Sequence, residues 1–96
     1  MKQGWVYLMA NRYRGKTYLG VTSNLPQRVY QHEQGHFDGY SKENDCAMLV
    51  WYEHFENLHD ARLQEARMKS WHRPWKIRLI EKTNPKWLDL TLTLSQ

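Results

Sequence analysis

Residues 5–22 read WVYLMANRYRGKTYLGVT, and this stretch decides the fold. Two apolar runs, Trp5–Ala10 and Thr17–Val21, flank the polar segment Asn11-Arg12-Tyr13-Arg14-Gly15-Lys16. The pattern predicts a β-hairpin that turns near Arg14-Gly15. With Arg14-Gly15 as a two-residue loop, Tyr13 faces Lys16, Ala10 faces Leu19, Leu8 faces Val21 and Tyr7 faces Thr22. Opposed residues share a face, and faces alternate along each strand. One face then holds Val6, Leu8, Ala10, Leu19 and Val21, with Thr17 at its end, and must meet the core. The other holds Trp5, Tyr7, Met9, Asn11, Tyr18, Gly20 and Thr22. It sets two phenols beside a strand glycine, as where a ligand or a second backbone comes close. Pattern alone favours a plainer reading, a second packing face covered by helices.

Working outward, Ser23-Asn24-Leu25-Pro26 starts a helix that runs to about Gln34, where Gly35 ends it. His36 to Asp45 is polar and reads as a loop, and Cys46 to His54 reads as a buried strand. Asn57 or Asp60 caps a long helix ending near Trp71. Pro74 opens a shorter helix to about Lys82, and Asn84-Pro85 breaks it. The alternating tail Leu90-Thr91-Leu92-Thr93-Leu94 is compatible with an edge strand or with loose packing. The order β-β-α-β-α-α predicts an α+β fold, a small antiparallel sheet flanked by helices. One domain over residues 1–96 is expected, with its core at about 5–90.

Composition narrows the function classes. With 41% hydrophobic and 25% charged residues the chain is expected to fold. One cysteine excludes an intrachain disulfide and a zinc site of several thiolates, and Cys46 reads as core. No apolar run reaches the roughly 20 residues of a membrane span. Gln3, Asn11 and Arg12 interrupt the N-terminal apolar stretch too early for a secretion signal, so a cytoplasmic protein is expected. Lys and Arg number 14 against 10 Asp and Glu, a net +4, alongside five Trp and six Tyr. That balance suits phosphate contacts and base stacking, and equally an ordinary surplus of lysine. The five histidines show no metal-binding spacing, and there is no phosphate loop or nucleophile elbow.

The helices carry the remaining chemistry. Arg28 and His32, four apart, share one side of the first helix, as a phosphate fork beside a proton carrier or as a solvated pair. On the long helix Leu58, Ala61, Glu65 and Met68 form one stripe, which a carboxylate interrupts. Glu65 needs a cation, a metal ion or donors there, or else sits at the stripe edge and pairs with Arg62 or Lys69. Trp71-His72-Arg73-Pro74-Trp75-Lys76 is basic and aromatic, and reads as a helix–helix corner packed by two Trp ahead of a nucleic-acid contact.

Taken in order, these residues resemble the GIY-YIG nuclease family. The first motif reads Val6-Tyr7-Leu8 and the second Tyr18-Leu19-Gly20, followed by Val21 to Arg28 and Val29-Tyr30-Gln31-His32. Leu49-Val50-Trp51-Tyr52-Glu53, the helix holding Glu65, and Asn84-Pro85-Lys86-Trp87 complete a match from about Trp5 to Leu90. It is most similar to the short stand-alone bacterial branch. Trp5 stands where the first glycine would be, and Leu19 replaces Ile. The resemblance implies a metal-dependent DNA endonuclease in repair, recombination or turnover. It implies Tyr7, Tyr18, Arg28, His32, Glu65 and Asn84 as catalytic residues, with Glu65 holding Mg²⁺ or Mn²⁺. Gly20, Lys42 and Lys69 are implied at the substrate, Gly20 by giving it room. In that scheme Arg28 clamps the phosphate, Tyr7 takes a proton with help from His32, and Tyr18 and Asn84 position. The alternative is a module that binds DNA or RNA without cutting it; a third reading is an interaction domain. The small area available for DNA is compatible with a homodimer or a partner protein.

Overall fold

In the computed structural model, which describes residues 2–35 and 45–95, three strands form the antiparallel sheet. They are β1 (Gly4–Ala10), β2 (Thr17–Thr22) and β3 (Met48–Phe55), in the spatial order β2-β1-β3. β1 lies in the middle because its run from Val6 to Ala10 is apolar on both faces, and all five residues are fully buried. The fold is the expected α+β sandwich of three strands and helices.

The hairpin register differs from the expected one. Ala10 opposes Thr17, Leu8 opposes Leu19 and Tyr7 opposes Gly20, a slip of two residues. The cause is Asn11. Its side-chain oxygen accepts from the Lys16 N–H at 2.8 Å, and its own N–H donates to the Lys16 carbonyl at 3.1 Å. The turn therefore centres on Tyr13-Arg14, closed by the Gly15 N–H on the Arg12 carbonyl, with Arg14 at φ 51°. Gly15 is needed because a β-carbon there would overlap the Asn11 side-chain oxygen. A slip of two leaves both faces as expected, since side chains alternate with period two.

The first face of the sheet packs Val6, Leu8 and Ala10 against Ala61, Met68, Ile80 and Trp87. α2 (Leu58–Lys69) and α3 (Arg73–Thr83) supply most of that layer. Leu8 opposes Trp51 while Met9 opposes Leu49, so Val50 is an extra residue in a β-bulge. Val50 and Trp51 consequently both join the first-face core. On the second face Tyr7, Met9 and Leu49 meet Leu25, Val29 and the buried Cys46. α1 (Leu25–Glu33) covers it.

Local signals set the helix ends. The Asn24 side chain accepts from the Gln27 N–H, and that of Asn57 from the Asp60 N–H. Gly35 follows α1 at φ 69°. The tail is a 3-10 helix, Leu90–Ser95, and not an edge strand. Asp89 caps it by accepting from the Thr91 N–H at 3.1 Å, and also takes the Leu49 N–H at 3.2 Å. Leu90 and Leu94 pack on the second face while Leu92 is 81% exposed. A strand would have turned all three leucines to one side.

The hairpin turn is pinned to α3. Arg14 makes a two-pronged ion pair with Glu81 at 2.7 and 2.8 Å, and the Trp87 indole N–H donates to the same carboxylate. Arg73 donates to the carbonyls of Arg14 and Gly15, both at 2.7 Å.

Candidate active site

Tyr7 projects from the central strand on the second face, directly opposite Gly20. A β-carbon on Gly20 would overlap the Tyr7 ring and hydroxyl, so the phenol lies across β2 in the space that the glycine leaves. The room expected for substrate at Gly20 is thus occupied by Tyr7. β2 is an edge strand, and the phenol's reactive end is carried toward that edge.

α1 brings two residues to the same phenol from below. His32 sits 5% exposed with Nε2 at 3.0 Å from the Tyr7 hydroxyl. Arg28, one turn earlier, also hydrogen-bonds the Tyr7 hydroxyl. A guanidinium only donates, so the Tyr7 oxygen accepts from Arg28, while the direction of the Tyr7–His32 bond follows the imidazole tautomer. Tyr18 completes a cluster of rings, with its centroid 5.1 Å from His32 and 6.4 Å from Tyr7. The His32 ring stands edge-on to Tyr7 at 5.6 Å. The helix pair Arg28/His32 therefore turns in toward Tyr7 rather than standing solvated.

Titration follows from this burial. Desolvation and the neighbouring Tyr18 push the Tyr7 phenol well above its ordinary pKa, the Glu65 charge adds to that, and Arg28 works against it. Desolvation, and then the Arg28 charge, lower His32 to about 4. Both groups are neutral at pH 7. A phenol acting alone as a base would need the opposite shift.

Glu65 arrives from α2, on the core stripe beside Ala61 and Met68, with its side chain 14% exposed. The ion-pair reading of this residue is the one observed. It pairs with Lys69 at 3.2 Å, and its charge is also felt at the Tyr7 hydroxyl. α1 and α2 thus converge on Tyr7 around the β2 edge. Among the described residues no group of three or more His, Cys, Asp or Glu could hold a metal. Glu65 alone fits a hard cation that keeps most of its waters, as Mg²⁺ does on one or two carboxylates.

Other expected site residues fall elsewhere. Asn84 is buried, and its amide donates to the carbonyls of Val50 at 3.0 Å and Leu88 at 2.9 Å while accepting the Leu88 N–H at 3.0 Å. Both of its hydrogens go to backbone, so it locks the end of α3 to β3. Lys42 lies outside the described residues. Trp5 stacks on His54 at 4.9 Å, turned toward β3. Thr22 was not singled out in the sequence. Its hydroxyl accepts the Asn24 N–H at 3.1 Å and so ties the β2 end to the start of α1. The adjoining Thr22-Ser23-Asn24 cap was the available signal.

The family model described as the GIY-YIG catalytic domain matches residues 3–78, a span that takes in Tyr7 through Lys69 and stops short of Asn84. The chain is 37% identical over 65 residues to a UPF0213 protein of Pediococcus pentosaceus, covering 68% of each chain. It is 28% identical over 81 residues to a UPF0213 protein of Staphylococcus haemolyticus, covering 84% of this chain and 98% of that one. No solved structure matches.

Proposed function

The chain belongs to the GIY-YIG nuclease family, and from that premise we propose that it is a metal-dependent endonuclease hydrolysing phosphodiester bonds in DNA. The supporting observation is the Tyr7 hydroxyl 3.0 Å from His32 Nε2, with the Tyr18 ring beside it and the Arg28 and Glu65 charges bearing on the same phenol. Hydrolysis needs a water stripped of a proton and a counter-charge on the phosphoryl oxygens. We assign Arg28 to hold a phosphate by two parallel N–H contacts. The phosphate's negative charge then offsets the Arg28 charge that depresses His32, and the imidazole becomes a better base. Tyr7 takes a proton from the attacking water as it passes its own to His32 Nε2, 3.0 Å away. The P–O bond to the leaving oxygen breaks as the water oxygen bonds phosphorus, and solvent protonates the leaving alkoxide. Tyr18 shapes the pocket around both rings. Mg²⁺ or Mn²⁺ held by Glu65 would supply Lewis-acid polarisation of a phosphoryl oxygen. We assign Lys69, exposed beside Glu65, to the DNA backbone. A cytoplasmic role in repair, recombination or turnover belongs to the same proposal.

The experiment is a cleavage assay on duplex, single-stranded and branched DNA with Mg²⁺ or Mn²⁺, run against Glu65→Gln and against EDTA. Metal-dependent cuts that Glu65→Gln abolishes are expected. Full cleavage by the variant sinks the role of Glu65. Salt-sensitive binding by the intact protein with no cleavage would replace the nuclease with a binding module.

A further inference from the structure

On the first-face side of the sheet, away from Tyr7, α3 carries an open slot of about 370 Å³. Trp71, Trp75, Arg78, Leu79 and Lys82 line it. Arg78 and Leu79 lie three and four residues from both Trp75 and Lys82, along one stripe of α3, and Trp71 lies just before the helix begins. The two Trp meet at the corner between α2 and α3, as the sequence reading expects, but only one of them is covered. Trp71 packs on the core, whereas Trp75 stands edge-on to it at 6.1 Å and is 56% exposed. Arg78 and Lys82 follow one and two turns beyond Trp75, and among the described residues neither makes an ion pair or a hydrogen bond. The carboxylate between them, Glu81, is taken up by Arg14 and Trp87 and does not neutralise them.

An uncovered indole next to two unneutralised cations is complementary to a nucleotide. Its base has a π-face for the indole, and its phosphates have the charge for Arg78 and Lys82. An apolar helix or a peptide rich in acid would use only half of this pairing. We infer that this slot holds an unpaired base of a nucleic-acid strand, stacked on Trp75, with the flanking phosphates on Arg78 and Lys82. The inference rests on the proposed function for the class of partner and not for the cleavage. The slot lies off the catalytic cluster, so it would grip a single-stranded stretch apart from the bond to be cut and favour substrates that contain one.

The test is binding in EDTA, where no cleavage occurs. Fluorescence anisotropy follows an oligothymidylate of about 12 nucleotides and a blunt duplex of the same length across a salt series. Trp75→Ala is expected to weaken the oligothymidylate about tenfold and leave the duplex unchanged, while Trp75→Phe restores most of the loss. Replacing Arg78 and Lys82 together by Ala should flatten the dependence of log affinity on log salt by about 1.4. A thermal melt shows whether each variant is folded. Oligothymidylate bound as tightly by Trp75→Ala as by the unmodified chain overturns the inference. So does an equal loss for strand and duplex, or a dimer that Trp75→Ala dissolves. Absence of cleavage on every DNA, with Trp75-dependent strand binding intact, removes the nuclease reading alone.

Discussion

Acid should unfold this protein earlier than its carboxylates require, and His32 is the reason. In the folded chain burial and the Arg28 charge hold the imidazole at about 4, against an ordinary value near 6.5 once unfolded. Between those values the unfolded chain binds the proton and the folded chain does not. Stability is therefore full above about pH 6.5 and is lost as pH falls toward 4. The loss is about 2 kcal/mol by pH 5 and about 3 kcal/mol when the window has been crossed. That is a large share of the 5–15 kcal/mol typical of a domain, roughly. The other strongly shifted acid, Glu81, is held to about 2 by Arg14 and the Trp87 indole, so its loss falls in a lower window. Urea unfolding followed by circular dichroism at pH 7, 6 and 5 measures the effect. His32→Gln, which can still accept from the Tyr7 hydroxyl, is the control that carries no titrating ring. The unmodified chain should lose about 2 kcal/mol more than the variant between pH 7 and pH 5. Equal losses in both would refute the buried neutral imidazole. A His32 NMR titration with its midpoint above 6 would refute it as directly.

Three further outcomes follow from the site. Gly20→Ala puts a methyl group where the Tyr7 ring and hydroxyl lie, so cleavage should fall about 100-fold in a protein that still melts cooperatively; activity within twofold would show that Tyr7 placement is not critical. Arg28→Lys keeps the charge but loses the two-pronged geometry, and kcat/KM should drop at least about tenfold, an expectation defeated if the lysine variant cleaves normally. Asn84→Ala orphans the Val50 and Leu88 backbone groups and should cost about 2–3 kcal/mol by urea unfolding with little change in cleavage per folded molecule. A collapse of kcat at unchanged stability would instead return Asn84 to the reaction.

Sequence reading succeeded where the signal is local. Asn24, Asn57 and Gly35 marked helix ends because a cap acts within a few residues of itself. The two faces of the hairpin were legible because pleating alternates side chains whatever the turn does. The turn was misplaced because Asn11 reaches across it with a side chain, a contact between residues five apart that no turn dipeptide encodes. The leucines of 90–94 have a strand's alternation, yet Asp89 caps a 3-10 helix there and is itself held by the N–H of Leu49, 40 residues away.

By itself the sequence determined the α+β order, the two faces of the hairpin and a set of residues able to handle a phosphate. Tertiary structure decided which of them act together. Glu65 could be read as an ion pair or as a site carboxylate until α2 packed over β2, where it pairs with Lys69 and its charge reaches Tyr7. Gly20 could make room for substrate or for a side chain until the Tyr7 ring filled the gap. Asn84 is spent on backbone, and Trp75 is left uncovered, only because of where α3 ends and how it lies. Periodicity specifies which face a residue takes on its own element. Burial, pKa and partnership depend on atoms that other elements bring, and those arrive with the fold.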